Sequence, residues 1–431
     1  MIDKNKNYEF FSKINRVIFY EFTQDSLQEV LEIIKTFNSK QKEFLINFIL
    51  WNKLSNIFLN NFSIDTLKIY FKESQLKKIS FQQKRFQIHS LLIAQEIKLL
   101  SKYLQEKNTL GIFLKGSGLS IFEYHDISLR PMMDIDLFIE EKKIYDFYTF
   151  LNEQGYKHSL KKKFVLNENE FRETLRISHQ IPTLHSKSGV AIELHSRVTH
   201  REEFPKCPLT HEVIENFRQK KYKGSNISVP SPEDMFKLQL AHMCSYPFFK
   251  MVFLNFFDLK NLKQNYDLNI SKICNDVTSK KIQKEIFLVS DLLYLIDNTI
   301  SNQNLSFVSS FKNNLFNTET KRLEQALDRI YTFPNSKFGK SHFIYLLGNS
   351  SNFFDFQSRL ISKIFPNKTL LKNKLLISGG FFQTIKVFFL NTFINLKIYS
   401  KDIIIISLKF IFSKKEIKNY QEFATWLQKE E

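Results

Sequence analysis

Residues 111–139 read GIFLKGSGLSIFEYHDISLRPMMDIDLFI, and this stretch decides the fold. Ile112, Phe113 and Leu114 make a short apolar run of strand character that stops at Lys115-Gly116-Ser117-Gly118, after which Leu119 to Tyr124 can open a helix. A strand running through glycines into a helix presents free backbone N–H groups and the positive helix end to an anion. The spacing is not that of a Walker loop. Then comes Asp134-Ile135-Asp136-Leu137-Phe138-Ile139, a strand by its apolar content. Side chains two apart on a strand share a face, so Asp134 and Asp136 point one way and Ile135 and Leu137 the other. Two adjacent carboxylates repel unless a cation or protons neutralise them, and such oxygen donors suit Mg²⁺ held jointly with a nucleotide's phosphates.

Outward from this stretch, Ile144, Phe147, Tyr148 and Leu151 recur at helical spacing, with Gly155 as a C-cap. Val190-Ala191-Ile192-Glu193-Leu194-His195 alternates as a second strand, with Glu193 and His195 away from the apolar side. Placed beside the first strand, it would bring Glu193 to Asp134 and Asp136. Three acids with Mg²⁺ can activate an attacking hydroxyl and clamp a transferring phosphate, with Glu193 as general base or shared metal ligand. A D-x-D pair or a lone strand glutamate is by itself a common solvated feature; the ordered set carries the reading. His195 shares Glu193's face and is the candidate for supporting it or touching phosphate.

This set resembles the signature of the DNA polymerase beta nucleotidyltransferase superfamily: a Gly-Ser turn, an acidic D-x-D strand and a third acid on a later strand. LKGSGLSIFEYHDISLRPMMDIDLFI is similar in more detail to an uncharacterised bacterial nucleotidyltransferase family within it, whose pattern ends in LRPMxDIDLxV. Gly155-Tyr156, Val190–His195, and Ser231-Pro232-Glu233-Asp234 followed by His242 match its later motifs. The resemblance covers about residues 110–260. It implies that Gly116 and Ser117 bind the triphosphate, that Asp134 and Asp136 hold Mg²⁺, and that Glu193 completes the triad. Arg130, as a fork-shaped donor, and Lys115, as a point charge, are the further candidates for phosphate. The interval between the Gly-Ser turn and D-x-D is longer than in the general superfamily signature, though it fits the narrower family.

Glycine and proline draw the domain map. Residues 1–110 and 248–333 contain neither, whereas six of the ten glycines lie within 111–224 and seven of the nine prolines within 131–247. Turns concentrate where those residues do. The expected fold class is therefore α+β: a small mixed-sheet, polymerase-beta-like nucleotidyltransferase core at 106–230, a helical N-terminal region at 1–105 and a helical C-terminal region at 231–431. Ser26-Leu27-Gln28-Glu29 reads as a capping box, 81–108 as a long helix, and Ser231-Pro232-Glu233-Asp234 as a helix start. Met235, Leu238 and His242 would share a face of that last helix.

The 62 Lys and Arg against 44 Asp and Glu leave a net charge of +18, spread along the chain rather than clustered. That balance favours anionic partners or serves solubility. Three cysteines without close spacing exclude a disulfide framework, and Cys207 with His211 is rejected as a zinc site because prolines flank the cysteine. With no apolar leader at the N-terminus, the expected location is cytoplasmic. Residues 381–412 are apolar with scattered lysines and read as buried helix, with peripheral membrane contact as the other reading. The leading function is transfer of a nucleotide from an NTP, with ATP expected, to an acceptor hydroxyl on a small molecule, saccharide, peptide or protein, with Mg²⁺ and release of pyrophosphate. Phosphate transfer on the same site, modification of RNA or tRNA, and a non-enzymatic nucleotide-binding scaffold are the alternatives. Nucleic acid is a possible partner but not the favoured one, because no aromatic-rich binding motif accompanies the diffuse charge.

Overall fold

A computed structural model describes residues 4–23, 25–158, 165–198, 209–245, 252–269 and 273. The 381–412 segment and most of the C-terminal helical region lie outside the described residues. Six helices come first: α1 (Lys4–Ile18), α2 (Leu27–Thr36), α3 (Ser39–Trp51), α4 (Ser55–Asn61), α5 (Ile64–Leu67) and α6 (Glu73–Glu106). The α/β part follows as β1 (Gly111–Phe113), α7 (Lys115–Phe122), β2 (Asp134–Ile139), α8 (Glu141–Glu153), α9 (Glu168–Ile177), β3 (Leu184–His185), β4 (Ala191–His195), α10 (Leu209–Glu215), β5 (Arg218–Tyr222) and β6 (Ser225–Val229). Helices α11 (Pro232–Ser245) and α12 (Val252–Asn265) close the described chain, and all these elements belong to one compact unit. None of the described helices is long and apolar enough to cross a membrane.

The fold class is the one expected, a mixed sheet among helices. The sheet runs β3-β4-β2-β1-β6-β5. Strand β2 is antiparallel to β1 and parallel to β4, and β1 is parallel to β6. The alternation read from the sequence places Ile135, Leu137, Ile192 and Leu194 in the core. Helix α8 buries the expected face of Ile144, Phe147, Tyr148 and Leu151. Helix α6 lays Ile93, Ile97, Leu100 and Leu104 inward and approaches β1 closely: a Cβ on Gly111 would lie 2.4 Å from a Leu104 methyl. A side chain there would oblige Leu104 to shift.

Local signals place the helix ends. Ser26 Oγ accepts from the Glu29 N–H while Glu29 Oε2 accepts from the Ser26 N–H, the capping box expected for α2. Ser231 Oγ accepts from the Asp234 N–H at the start of α11. Hairpin β5–β6 turns on Lys223 and Gly224, both at positive φ (46° and 83°), and its outer strand exposes Lys220 and Lys221 along the sheet edge. Edge lysines oppose strand-to-strand aggregation.

Phenylalanine joins the N-terminal helices to α12. Phe19, just beyond α1, packs on Phe256 and Phe257 with ring centroids 4.7 and 4.6 Å apart, and Phe48 of α3 meets Phe253 edge-on at 4.6 Å. Buried aromatic pairs of this kind contribute about 0.5–1.5 kcal/mol each beyond their area. Helix α12 is thus held from one side by the N-terminal helices, and it reaches the candidate site from the other.

Candidate functional site

The acidic face is built by strand register. Asp136 on β2 stands opposite Glu193 on β4, Asp134 opposite Ala191, and Phe138 opposite His195. In a parallel pair this puts Asp134, Asp136, Glu193 and His195 on one face. Asp136 is the centre: its Oδ1 accepts from Lys115 Nζ and from His195 Nε2, both at 2.9 Å. The His195 bond requires the Nε2–H tautomer, and its Nδ1 is buried with no hydrogen-bond partner among the described residues. His195 Nε2 lies 3.9 Å from Glu193 Oε2, Thr183 Oγ1 donates to Glu193 Oε1 at 3.2 Å, and the His179 ring lies 5.1 Å from that of His195.

Charges on this face are strongly unequal. Burial, then the neighbouring Asp136 and Glu193 charges, push the Asp134 carboxyl up to about 6 against the pull of Lys115 and Lys53. Burial would push Asp136 the same way, but the Lys115 ammonium and the His195 hydrogen bond outweigh it and hold that carboxyl well below the usual range. Burial opposes the Lys115 charge, and Asp136 restores it, leaving the ammonium more firmly protonated than usual. His242 of α11 feels the same centre: burial, then the Lys115 charge, push its imidazole down to about 3.

The Gly-Ser element differs from its sequence reading. Residues 115–118 are not a loop before a helix; α7 itself begins at Lys115, and Gly118 N–H already donates to Leu114 O at 3.2 Å. Lys115 takes a positive φ of 43°, which turns its side chain position from β1 toward Asp136. Ser117 is fully buried, and its hydroxyl donates to Leu114 O at 2.8 Å. Gly116 is required for a different reason. A Cβ there would lie 2.4 Å from Arg130 Nη1.

Arg130 is buried beneath that glycine, and Asp258 of α12 takes its fork, at 2.9 Å from Nε and 2.8 Å from Nη2. Tyr124 Oη donates to Asp258 Oδ1 at 2.9 Å and Gln239 Nε2 to Oδ2 at 3.3 Å. Nothing in the local sequence announces Asp258. Nor does it announce Lys53, whose ammonium, at the corner between α3 and α4, is electrostatically coupled to Asp134 and Arg130.

The donors on this face suit a divalent cation. One ligand atom each from Asp136, Glu193 and His195 lies within 4.8 Å of the others. That compact group contains His195 where the sequence reading had Asp134, which stands one pleat along the same strand face.

A mixed sheet carrying paired acids beside a helix opened by Gly and Ser defines a nucleotidyltransferase-type domain. The chain belongs to the family described as uncharacterised nucleotidyltransferase, whose profile it matches over residues 38–295, more than half its length. It is a nucleotidyltransferase by that membership. Among solved structures it is similar to an antigenic nucleotidyltransferase-like protein from Paracoccidioides brasiliensis, at 16% identity and a TM-score of 0.31, over 48% of this chain and 94% of that one. No curated protein matches the chain.

Proposed function

We propose that this protein transfers a nucleotide from an NTP, ATP being the expected one, to an acceptor hydroxyl, with Mg²⁺ and release of pyrophosphate. The observation that carries the reading is the register of Asp136 against Glu193 on adjacent parallel strands, with Asp134 on the same face. Asp136 and Glu193, joined by Asp134, would hold the metal; His195 orients Asp136. Bound there, Mg²⁺ supplies charge neutralisation at the phosphates and polarises the phosphorus under attack.

The remaining work falls to side chains. Glu193 accepts the proton of the acceptor hydroxyl. The acceptor oxygen bonds to the α-phosphorus, the bond from that phosphorus to the bridging oxygen breaks, and pyrophosphate leaves with the electron pair. Lys115 lies on the same carboxylate and offers its charge to the phosphates. The first-turn N–H groups of α7, at Lys115, Gly116 and Ser117, have no partner within the helix and would serve the phosphates as donors. Ser117 contributes through this backbone, because its hydroxyl is turned inward. Arg130 acts from below the turn, through its charge and its contact with Gly116. The acceptor hydroxyl belongs, on this reading, to a small molecule, saccharide, peptide or protein.

The test is Mg²⁺-dependent stabilisation by each NTP in a thermal shift assay, on the wild type and on Asp136→Asn, each against its own metal-free melting temperature. A nucleotide that binds only the native state raises that temperature by mass action. The reading expects a shift that needs both Mg²⁺ and Asp136; no response to any NTP overturns it. Pyrophosphate as the released product separates it from phosphate transfer, which would release a nucleoside diphosphate.

A further inference from the structure

Lys53 lies at the corner between α3 and α4, and its charge acts on Asp134 and Arg130. Helix α3 ends in a left-handed turn: Lys53 N–H donates to Leu50 O at 3.4 Å, Leu54 N–H donates to Ile49 O at 2.9 Å, and Lys53 itself has φ 58°. This is the Schellman arrangement, whose left-handed position favours glycine or asparagine. A lysine there is held in a backbone conformation that residues with a Cβ disfavour. The strained backbone belongs to a residue whose charge acts on Asp134 and Arg130, and strained positions cluster at functional sites.

The corner is pinned. Gln82 Nε2 of α6 donates to Leu50 O at 2.8 Å, and Asn56 Nδ2 donates to Ser128 O at 2.5 Å. His89 Nε2 lies 3.3 Å from Met133 O, next to Asp134. Two helices of the N-terminal region therefore grip the segment that leads into β2, and Lys53 rides on that grip. Its ammonium is half-buried and interacts with Asp134 through space, yet among the described residues its side chain makes no hydrogen bond and no close ion pair. Lys115 and Arg130, by contrast, each carry a close ion pair, with Asp136 and Asp258.

We propose that Lys53 is a nucleotide-binding residue, its ammonium engaging the polyphosphate of the NTP on the Asp134 side of the acidic face. This rests on the nucleotidyl-transfer reading and gives the N-terminal helical region a part of the binding site. A half-desolvated ammonium without a partner gains most from a multiply charged ligand, and its lowered affinity for protons, caused first by burial, agrees with that position.

Lys53→Asn tests the assignment. Asparagine tolerates the left-handed turn better than lysine, so the variant should fold at least as stably while losing the ammonium. Lys53→Arg keeps the charge. Dissociation constants are measured with Mg²⁺ for ATP, GTP, CTP and UTP and for the matching monophosphates. Loss of one charge-assisted contact weakens binding by ~10- to 100-fold. That loss is expected for the triphosphate in Lys53→Asn, with the monophosphate changed by no more than about threefold and Lys53→Arg close to wild type. Unchanged triphosphate binding in Lys53→Asn overturns the proposal, as does an equal loss for mono- and triphosphate. Failure of the wild type to bind any NTP instead overturns the parent reading, and this proposal with it.

Discussion

Arg130 and Asp258 meet through two parallel hydrogen bonds, Nε to Oδ1 at 2.9 Å and Nη2 to Oδ2 at 2.8 Å, and both side chains are buried. The pair ties the segment before the acidic strand to α12, which the N-terminal phenylalanines hold in turn. It is a mechanical link between the helical flanks and Gly116 in the first turn of α7.

Breaking the pair from one side leaves a buried charge uncompensated. Asp258→Ala is expected to cost about 3–5 kcal/mol. The double variant Arg130→Met, Asp258→Leu removes both charges and should recover most of that loss. Urea unfolding with unchanged slope measures both. A single variant within about 0.5 kcal/mol of wild type would show that the pair is not a structural tie.

Gly116→Ala should be destabilising by ~1–3 kcal/mol, because the new methyl meets Arg130 Nη1 at 2.4 Å and Arg130 cannot retreat from Asp258. The coupling is specific: in an Arg130→Met background, where the chain end can bend, the same substitution should cost far less. Additive losses in the double variant would exclude this steric origin of the glycine.

Asp134→Asn should stabilise the metal-free protein at neutral pH. The folded pKa of about 6 lies above the unfolded value, so above pH 6 the ionised wild-type carboxylate costs stability. As pH falls through 6 the folded wild type takes up the proton before the unfolded chain does, and it regains that stability by about pH 4. The variant's advantage, on the order of 1 kcal/mol after allowance for partial exposure, is therefore present at pH 7.5 and gone near pH 4. Thermal melts in EDTA across that range measure it; an advantage independent of pH would contradict the charge argument.

Local pattern carried the acidic face. Asp134 and Asp136 alternate with Ile135 and Leu137, Glu193 and His195 alternate with Ile192 and Leu194, and a period of two states which side chains share a face. The sequence leaves the pairing of those two strands as a condition, and the register of Asp136 with Glu193 meets it. The start of α7 misled because Gly116 and Gly118 carry a turn signal, while their real constraint is the close approach of Arg130 Nη1 and of Phe113 O. Asp258 and Lys53 lie too far along the chain for any spacing rule to bring them to the site. The β5–β6 hairpin left a weaker signal: Gly224 suits a positive φ, but Lys223, which also adopts one, is not a residue that two-residue turns favour.

His242 shares a helix with Met235 and Leu238, as its spacing predicted, and those two are buried. Its surroundings are what matter for acid stability: Lys115, Arg130 and His195 oppose a positive imidazole, Asp136 alone favours one, and burial outweighs them all. With a folded pKa of about 3 against an ordinary value of 6.5, the unfolded chain binds a proton that the folded chain refuses between those limits. Stability therefore falls as pH drops through 6.5 toward 3, and the loss is absent above 6.5. His242→Gln removes that proton uptake and should flatten the pH dependence in this window relative to wild type, whatever it costs at pH 7.5. Chemical denaturation at pH 7.5, 6 and 4.5 gives the comparison, and parallel curves for the two proteins would show that His242 is protonated equally in both states.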